Sequence, residues 1–201
     1  MHKKNQKPNS ILDEGISRIY NFDTYCLLQE NLDDLFGTSL KMKPHEKLIT
    51  SAMISFMVEH YNFRAQITVR KKNSKDMIGD ISLTETSVEK HKFFVHVNPN
   101  QSYMQIIKSL IHELTHVKQV VKGELLPNKD YTAIKWMGEE YITVKEYNQL
   151  MRKNPMEYRK LPWEVEADKA MFDLYDIFLN SNYWKSLRGK DTTLDFIMDN
   201  I

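Results

Sequence analysis

The sequence predicts an α+β fold. Apolar residues recur at spacings of three and four in the first and last thirds of the chain, which is the period of amphipathic helices. Residues 65–97 contain segments in which apolar and polar residues alternate, which is the period of strands. The order is therefore helices, a few strands and then helices again. A parallel α/β sheet would require regular strand–helix alternation, so the α+β class is favoured.

The composition is that of an ordinary folded domain. The chain has 201 residues, of which 41% are hydrophobic and 27% are charged, so it can bury a core without disulfide bonds. The formal net charge of +1 gives no reason to expect a nucleic-acid partner. The single cysteine, Cys26, cannot form an internal disulfide, and no apolar run resembles a secretion signal or a membrane span. We therefore expect a cytoplasmic protein that does not bind membranes.

Helices and then strands are predicted in the first half of the chain. A helix is expected over 11–36 and a second over 45–61, because their apolar residues repeat with the helical period. Strands are expected at 65–70, at 80–84 and, most clearly, at 92–97. The whole of 1–201 is interpreted as one domain, with a helical N-terminal part over 1–62, a core over 63–180 and a tail over 181–201.

The second half is predicted to be mainly helical. A helix over 101–122 ends where Gly123 suits a left-handed C-terminal cap. A less regular region follows up to about residue 160, with a short hairpin at Trp136-Met137-Gly138 and a helix near 143–153. Pro162 occupies a favourable first-turn position for a last long helix over 162–180. The tail is expected to add a short helix that packs on the body.

The helix over 101–122 carries the segment His112-Glu113-Leu114-Thr115-His116. Residues four apart lie on one face of a helix, so the two imidazoles can bind one zinc ion. The intervening Glu113 lies beside them and can take a proton from a water molecule that the ion activates. This spacing therefore predicts a zinc site in which His112 and His116 are ligands and Glu113 is the general base.

The position of the motif on its helix bears on this prediction. At about 100° per residue, six apolar residues fall within about 60° of Leu110: Tyr103, Ile106, Ile107, Leu114, Val117 and Val121. His112 and His116 fall near 200° and 240° from Leu110, on the opposite side. They are therefore not core histidines. The remaining alternative is a pair of solvent-exposed histidines on a polar face.

A catalytic zinc site needs a third protein ligand and one open position. The other five histidines all precede the motif, and Gln119 and Lys122 stand where a longer motif would place a third histidine. The third ligand is therefore expected to be a carboxylate.

The best carboxylates lie near the start of the helix over 162–180. Glu164 and Asp168 are four residues apart and share a face, and Glu164 borders the apolar side of the helix, whereas Glu166 is expected to face solvent. We predict that Glu164 is the third ligand and that Asp168 holds a ligating imidazole through its free N–H. Two alternatives stay open: Glu166 as the ligand, and ordinary acidic residues of a first helical turn.

Together, these residues resemble the gluzincin metallopeptidases, whose HExxH motif is followed on a later helix by Glu-x-x-x-Asp. The segments HELTHVKQ and PWEVEAD resemble small uncharacterised zincin-like proteins of phages and bacteria, and the resemblance covers roughly 92–180. It implies a small mixed sheet on the motif helix, with 92–97 as the edge strand that pairs with extended substrate. It also implies Zn²⁺ as cofactor, a peptide or protein substrate and, for a phage-encoded chain, the host cytoplasm.

Enzymes of this type often use a tyrosine or histidine to stabilise the oxyanion of the transition state. Tyr141, Tyr147 and Tyr158 lie in the appropriate stretch, and Tyr158 and Tyr141 are retained as candidate donors. The sequence does not choose among them, and packing of the aromatic rings is the more usual role of such tyrosines.

Two functions are compatible with these residues. The first is an active zinc metallopeptidase, which the intact Glu113 favours, because a zinc scaffold alone has no need of a base. The second is a catalytically weak or inactive zincin-fold protein that binds a host or regulatory partner. A purely structural zinc domain is less favoured, since such sites are usually closed by four protein ligands rich in cysteine. The sequence predicts neither the substrate nor the oligomeric state.

Overall fold

The computed structural model describes residues 42–71, 79–82 and 92–201, and for 79–82 it describes the backbone only. All of these residues belong to one compact unit, Ser39–Ile201. The helix predicted over 11–36, and Cys26 within it, lie outside the described residues. The mixture of helices and small sheets agrees with the predicted α+β class.

Seven helices and six strands are found within the described residues. None of these helices combines the length and the apolar character needed to cross a membrane. In chain order the elements are α1 (Pro44–Tyr61), β1 (Gln66–Lys71), β2 (Gly79–Ser82), β3 (Lys92–Val97), α2 (Tyr103–Val121), β4 (Leu125–Pro127), β5 (Ala133–Trp136), β6 (Glu139–Thr143), α3 (Val144–Lys153), α4 (Pro155–Tyr158), α5 (Pro162–Asn180), α6 (Asn182–Lys185) and α7 (Thr192–Asn200).

The first sheet is mixed and has the strand order β1-β3-β2. Strand β3 pairs in parallel with β1 and antiparallel with β2, and it buries Phe93, Val95 and Val97 on one face. The expectation that 92–97 is an edge strand is therefore wrong. Because β3 is paired on both sides, its backbone groups are already used, and β1 and β2 are the outer strands of the described sheet. Strands β2 and β3 lie against α2.

A second sheet of three antiparallel strands, in the order β4-β5-β6, follows α2. The sequence predicted only its hairpin at Trp136-Met137-Gly138. Met137 and Gly138 adopt φ values of 52° and 90° between β5 and β6. Two consecutive residues with positive φ are typical of the two-residue turns that match the twist of a hairpin.

Among the described helices, α2 and α5 make the most extensive contact with each other, and both carry predicted site residues. Helix α2 begins with a capping box at Ser102 and ends before Gly123, whose φ is 75°, as predicted. Helix α5 begins at Pro162, also as predicted. Its Ala167 is completely buried, so the two backbones can approach closely. This contact brings the first turns of α5 beside the motif.

The tail packs on the body, as the sequence indicated. Trp184 of α6 is buried, and its ring centroid lies 5.4 Å from that of Phe178 in α5. Leu194 and Ile197 of α7 are also buried. Helix α6 therefore packs against the C-terminal half of α5, away from its first turns.

Candidate metal centre

Helices α2 and α5 bring His112, His116 and Glu164 together. The Nε2 atoms of the two histidines lie 3.2 Å apart. Nε2 of His112 is 3.4 Å from Oε2 of Glu164, and Nε2 of His116 is 3.5 Å from Oε1. Among the described residues these three side chains form a group that could hold a metal ion, with all three ligand atoms within 4.8 Å of one another.

The donor set fits zinc. Ligand atoms placed tetrahedrally at about 2.0–2.1 Å from a zinc ion are about 3.3 Å from each other, close to the separations found here. Two imidazole nitrogens and one carboxylate oxygen also match the ligands of catalytic zinc sites, which leave a fourth position open. The side chains of His112 and His116 are only 17% and 13% exposed. The alternative of two solvent-exposed histidines is therefore wrong.

Asp168 orients His112. Its Oδ1 lies 3.1 Å from Nδ1 of His112. The imidazole can therefore donate the proton on Nδ1 to Asp168, which directs Nε2 towards the centre. Arg159 in turn binds both oxygens of Asp168 through Nη2, at 2.8 and 2.9 Å. The predicted position of Asp168 behind a histidine of the motif is thus found, whereas Arg159 had no part in the prediction.

Gln119 occupies the equivalent position behind His116. Its Oε1 lies 2.7 Å from Nδ1 of His116, and its Nε2 donates to the backbone carbonyl of Trp163 and to Glu166. Glu166 also accepts a hydrogen bond of 2.8 Å from Lys118. The prediction that Glu166 faces solvent holds only in part, because its side chain is 34% exposed while Lys118 and Gln119 reach it from α2. Its carboxylate is one side chain removed from the centre.

The charges of the centre stabilise a proton on His116 when no metal is bound. Burial by itself lowers the pKa of this imidazole, but the hydrogen bond and negative charge of Glu164, together with Glu113 and Gln119, raise it to about 9. Burial likewise raises the pKa of Glu164, but hydrogen bonds from His112 and His116 and the charge of His116 outweigh it and place the pKa well below its usual range. A proton and a metal ion would therefore compete for the same nitrogen.

Glu113 is almost completely buried, with 7% of its surface exposed. Its negative charge raises the pKa of both His116 and Tyr147, which places the carboxylate near the centre and near the tyrosines beside it. The sequence placed Glu113 between the two faces of α2. The position beside His116 is compatible with the predicted role as a base, because a base must lie within reach of the water that it deprotonates.

Tyr158 is the candidate oxyanion donor that reaches the centre. Its hydroxyl donates a hydrogen bond of 2.7 Å to Oε1 of Glu164 and lies 3.3 Å from the hydroxyl of Tyr147. Burial and the neighbouring Glu164 raise the pKa of Tyr158, so it stays a donor at neutral pH. Tyr141, the other candidate, is 54% exposed and packs edge-on against Trp163. Within the described part of the chain, no hydrogen bond joins Tyr141 to the three ligands.

Residues 144–160, which we call the strap, hold the carboxylates of α5. Its helices α3 and α4 contain no buried residue. At its C-terminal end, the consecutive residues Tyr158 and Arg159 bind Glu164 and Asp168, respectively. The strap is thus attached to the centre by polar contacts and by aromatic packing of Tyr147 against Trp163, at a centroid distance of 6.2 Å.

Gln119 and Arg159 are the residues of the centre that sequence reasoning missed. Gln119 carries a usable signal, because it is three residues after His116 and therefore lies on the same side of the helix. Arg159 carries none, since its contact with Asp168 depends on how the strap folds back on α5. No protein-family model, no curated protein and no solved structure matches the chain.

Proposed function

We propose that the protein is a zinc-dependent metallopeptidase with a zincin-like fold that hydrolyses peptide bonds in a peptide or protein substrate. The observation that carries the proposal is the convergence of His112, His116 and Glu164, with the buried Glu113 beside them. When bound, zinc would polarise the scissile carbonyl and lower the pKa of a coordinated water molecule to about 7.

The residues of the chain then have distinct roles. Glu113 accepts the proton of the attacking water and delivers it to the leaving amine. Asp168 and Gln119 keep the two imidazoles oriented towards the centre. Tyr158 is the candidate donor that reaches the centre. When substrate binds, its single O–H would turn from Glu164 to the carbonyl oxygen and stabilise the negative charge that develops there.

The same residues favour a catalytic over a structural zinc site. The group comprises three ligands from the described chain, none of them cysteine, whereas structural sites usually have four ligands rich in cysteine. A structural site also has no use for a buried carboxylate beside two of its ligands. Glu113 is therefore the residue that distinguishes an enzyme from a zinc scaffold.

Peptide hydrolysis tests this proposal. Zinc-loaded wild type and Glu113→Gln are incubated with a mixed peptide library, and new termini are identified by mass spectrometry. Because the loss of a general base costs about 10²- to 10⁴-fold in rate, Glu113→Gln should keep its zinc and lose cleavage. Glu139→Gln is the matched control, since Glu139 is exposed in β6, and it should cleave like wild type.

Two outcomes contradict the proposal. If zinc-loaded wild type cleaves no peptide in the library, the peptidase is not supported and the alternative of a zincin-fold binding protein takes its place. If Glu113→Gln cleaves as fast as wild type, the hydrolysis does not use this centre.

A further inference from the structure

Gln119 is a completely buried polar side chain that connects the two helices of the centre. It lies one helical turn beyond His116 on α2, and its amide contacts three groups. Oε1 lies 2.7 Å from Nδ1 of His116, while Nε2 lies 3.0 Å from the carbonyl oxygen of Trp163 and 2.9 Å from Oε2 of Glu166. Both N–H groups and the oxygen of this buried amide are therefore directed to His116 and to α5.

The chemistry of these partners fixes which way the amide is turned. A backbone carbonyl and a carboxylate only accept hydrogen bonds, so the NH₂ group of Gln119 must face Trp163 and Glu166. The amide oxygen is left facing His116 and can only accept. Nδ1 of His116 must therefore carry a proton, in the neutral as well as the charged imidazole, and a neutral His116 presents the lone pair of Nε2 to the centre.

We propose that Gln119 is a positioning residue that fixes the tautomer and the ring orientation of His116, and that Glu166 keeps the amide in place. The inference rests on the zinc site of the proposed function but not on peptidase activity. It assigns a role to Glu166, which contacts Gln119 and Lys118 and lies outside the group of ligands.

The identity of the residue at position 119 follows from this role. The side chain has to accept from Nδ1 of His116 and, at the same time, donate to the carbonyl of Trp163. A carboxylate, which is what Asp168 provides behind His112, can accept but cannot donate. It would also place a second negative charge against Glu166 within a buried contact. Among side chains of this length, an amide satisfies all three partners.

The test compares zinc affinity, measured by competition with a chromophoric chelator, in wild type and Gln119→Met. Methionine has a similar length but accepts no strong hydrogen bond, so we expect zinc to bind about 10- to 100-fold more weakly. Thr115→Val is the matched control. Thr115 is equally buried on the same helix, donates to the carbonyl of Ile111 and forms a hydrogen bond with Tyr61, so the control loses buried hydrogen bonds that involve none of the three predicted ligands.

A spectroscopic reading separates positioning from general destabilisation. In the zinc-loaded protein, Nδ1–H of His116 should give a slowly exchanging downfield proton resonance that Gln119→Met loses and Thr115→Val keeps. The corresponding resonance of His112, whose proton goes to Asp168, should persist in both variants and serves as an internal reference.

A charge exchange provides a rescue. Gln119→Glu alone places two carboxylates together and should weaken zinc binding. Gln119→Glu combined with Glu166→Gln restores the hydrogen bond between the two side chains and should recover part of the affinity, but not all of it, because a carboxylate at position 119 cannot donate to the carbonyl of Trp163. Equal zinc affinity and an unchanged His116 resonance in Gln119→Met would overturn the inference and leave the peptidase proposal intact. A wild type that binds no zinc would overturn both.

Discussion

At the scale of single residues, a proton and a metal ion would compete for His116 in the proposed centre. In the metal-free protein, the carboxylates of Glu164 and Glu113 hold a proton on this imidazole, although burial opposes the charge. Zinc requires the unprotonated nitrogen, so binding must release that proton. The same carboxylates that prepare the site for a cation therefore also create its main competitor.

This competition predicts a characteristic dependence of stability on pH. The pKa of His116 rises from 6.5 to about 9 on folding, so its contribution to the stability of the metal-free protein is complete below pH 6.5 and is lost as the pH rises towards 9. The pKa of Glu164 falls below 4.5 on folding, so its contribution is present above pH 4.5 and is lost on acidification. The pair therefore stabilises the metal-free protein most between pH 4.5 and 6.5.

The stabilisation that zinc gives should instead increase as the pH rises. Thermal unfolding with excess chelator and with excess zinc, measured from pH 6.5 to 9, should show a zinc-induced rise in Tm that grows with pH, because fewer protons compete for His116. The variant His116→Gln lacks the titrating group. Its unfolding should therefore show little loss of metal-free stability towards pH 9 and little zinc-induced rise in Tm. A zinc-induced shift in Tm that is constant over this range in wild type would contradict the account.

At the scale of elements, the centre depends on how closely α2 and α5 approach. Ala167 is completely buried in α5, one position before Asp168. We predict that Ala167→Leu costs about 1–3 kcal/mol of unfolding free energy, because extra methylene groups must be accommodated in a packed contact. The same separation of the helices should weaken zinc binding. Urea unfolding in the presence of chelator measures the first effect, and chelator competition measures the second.

The neighbouring Val165 supplies the control for this prediction. Its side chain is 51% exposed on the same helix, so Val165→Leu adds apolar volume without entering the helix contact and should leave both quantities nearly unchanged. If Ala167→Leu behaves like Val165→Leu, close approach of the two helices does not determine the site.

The strap is the second element on which the centre depends. We predict that Tyr158→Phe weakens zinc binding about 10-fold, because Glu164 loses the hydrogen bond that orients its carboxylate. The loss of a hydrogen bond to a charged group should also lower the unfolding free energy by about 1.5 kcal/mol. Chelator competition and urea unfolding measure the two effects.

Tyr147→Phe is the matched control, since it removes only the hydroxyl that lies 3.3 Å from that of Tyr158. Its zinc affinity should stay within about twofold of wild type, because the contact of Tyr158 with Glu164 is retained. If Tyr158→Phe also leaves the zinc affinity within about twofold of wild type, the strap acts through aromatic packing, which both variants keep, and not through Glu164.

Elements defined by local patterns were predictable from the sequence, and those defined by distant pairing were not. Helices α2 and α5 are long enough for their period to be clear, and their ends follow from Ser102, Gly123 and Pro162. Strand β4 has three half-buried residues, too few for an alternation to appear. The central place of β3 depends on its pairing with β1 and β2, which no local pattern encodes.

At the scale of the whole molecule, the sequence predicted which side chains meet better than what surrounds them. The group of His112, His116 and Glu164 was predictable because helical geometry places each on a defined face, and it is found together in the structure. The surroundings of Glu166 and the contact of Arg159 with Asp168 were not, because both depend on side chains that arrive from another element. The residues that orient the predicted ligands could therefore be identified only from the tertiary structure.

The zinc content of two glutamate variants tests the central claim most directly. Glu164 and Glu166 lie on the same helix and both contact α2, but only Glu164 belongs to the group of ligands. After dialysis against buffer without metal, elemental analysis should find about one zinc ion per chain in wild type and in Glu166→Ala, and less than about a tenth of that in Glu164→Ala, since removal of a ligand costs far more than removal of its support. Full zinc occupancy in Glu164→Ala, or no zinc in wild type, would contradict the account.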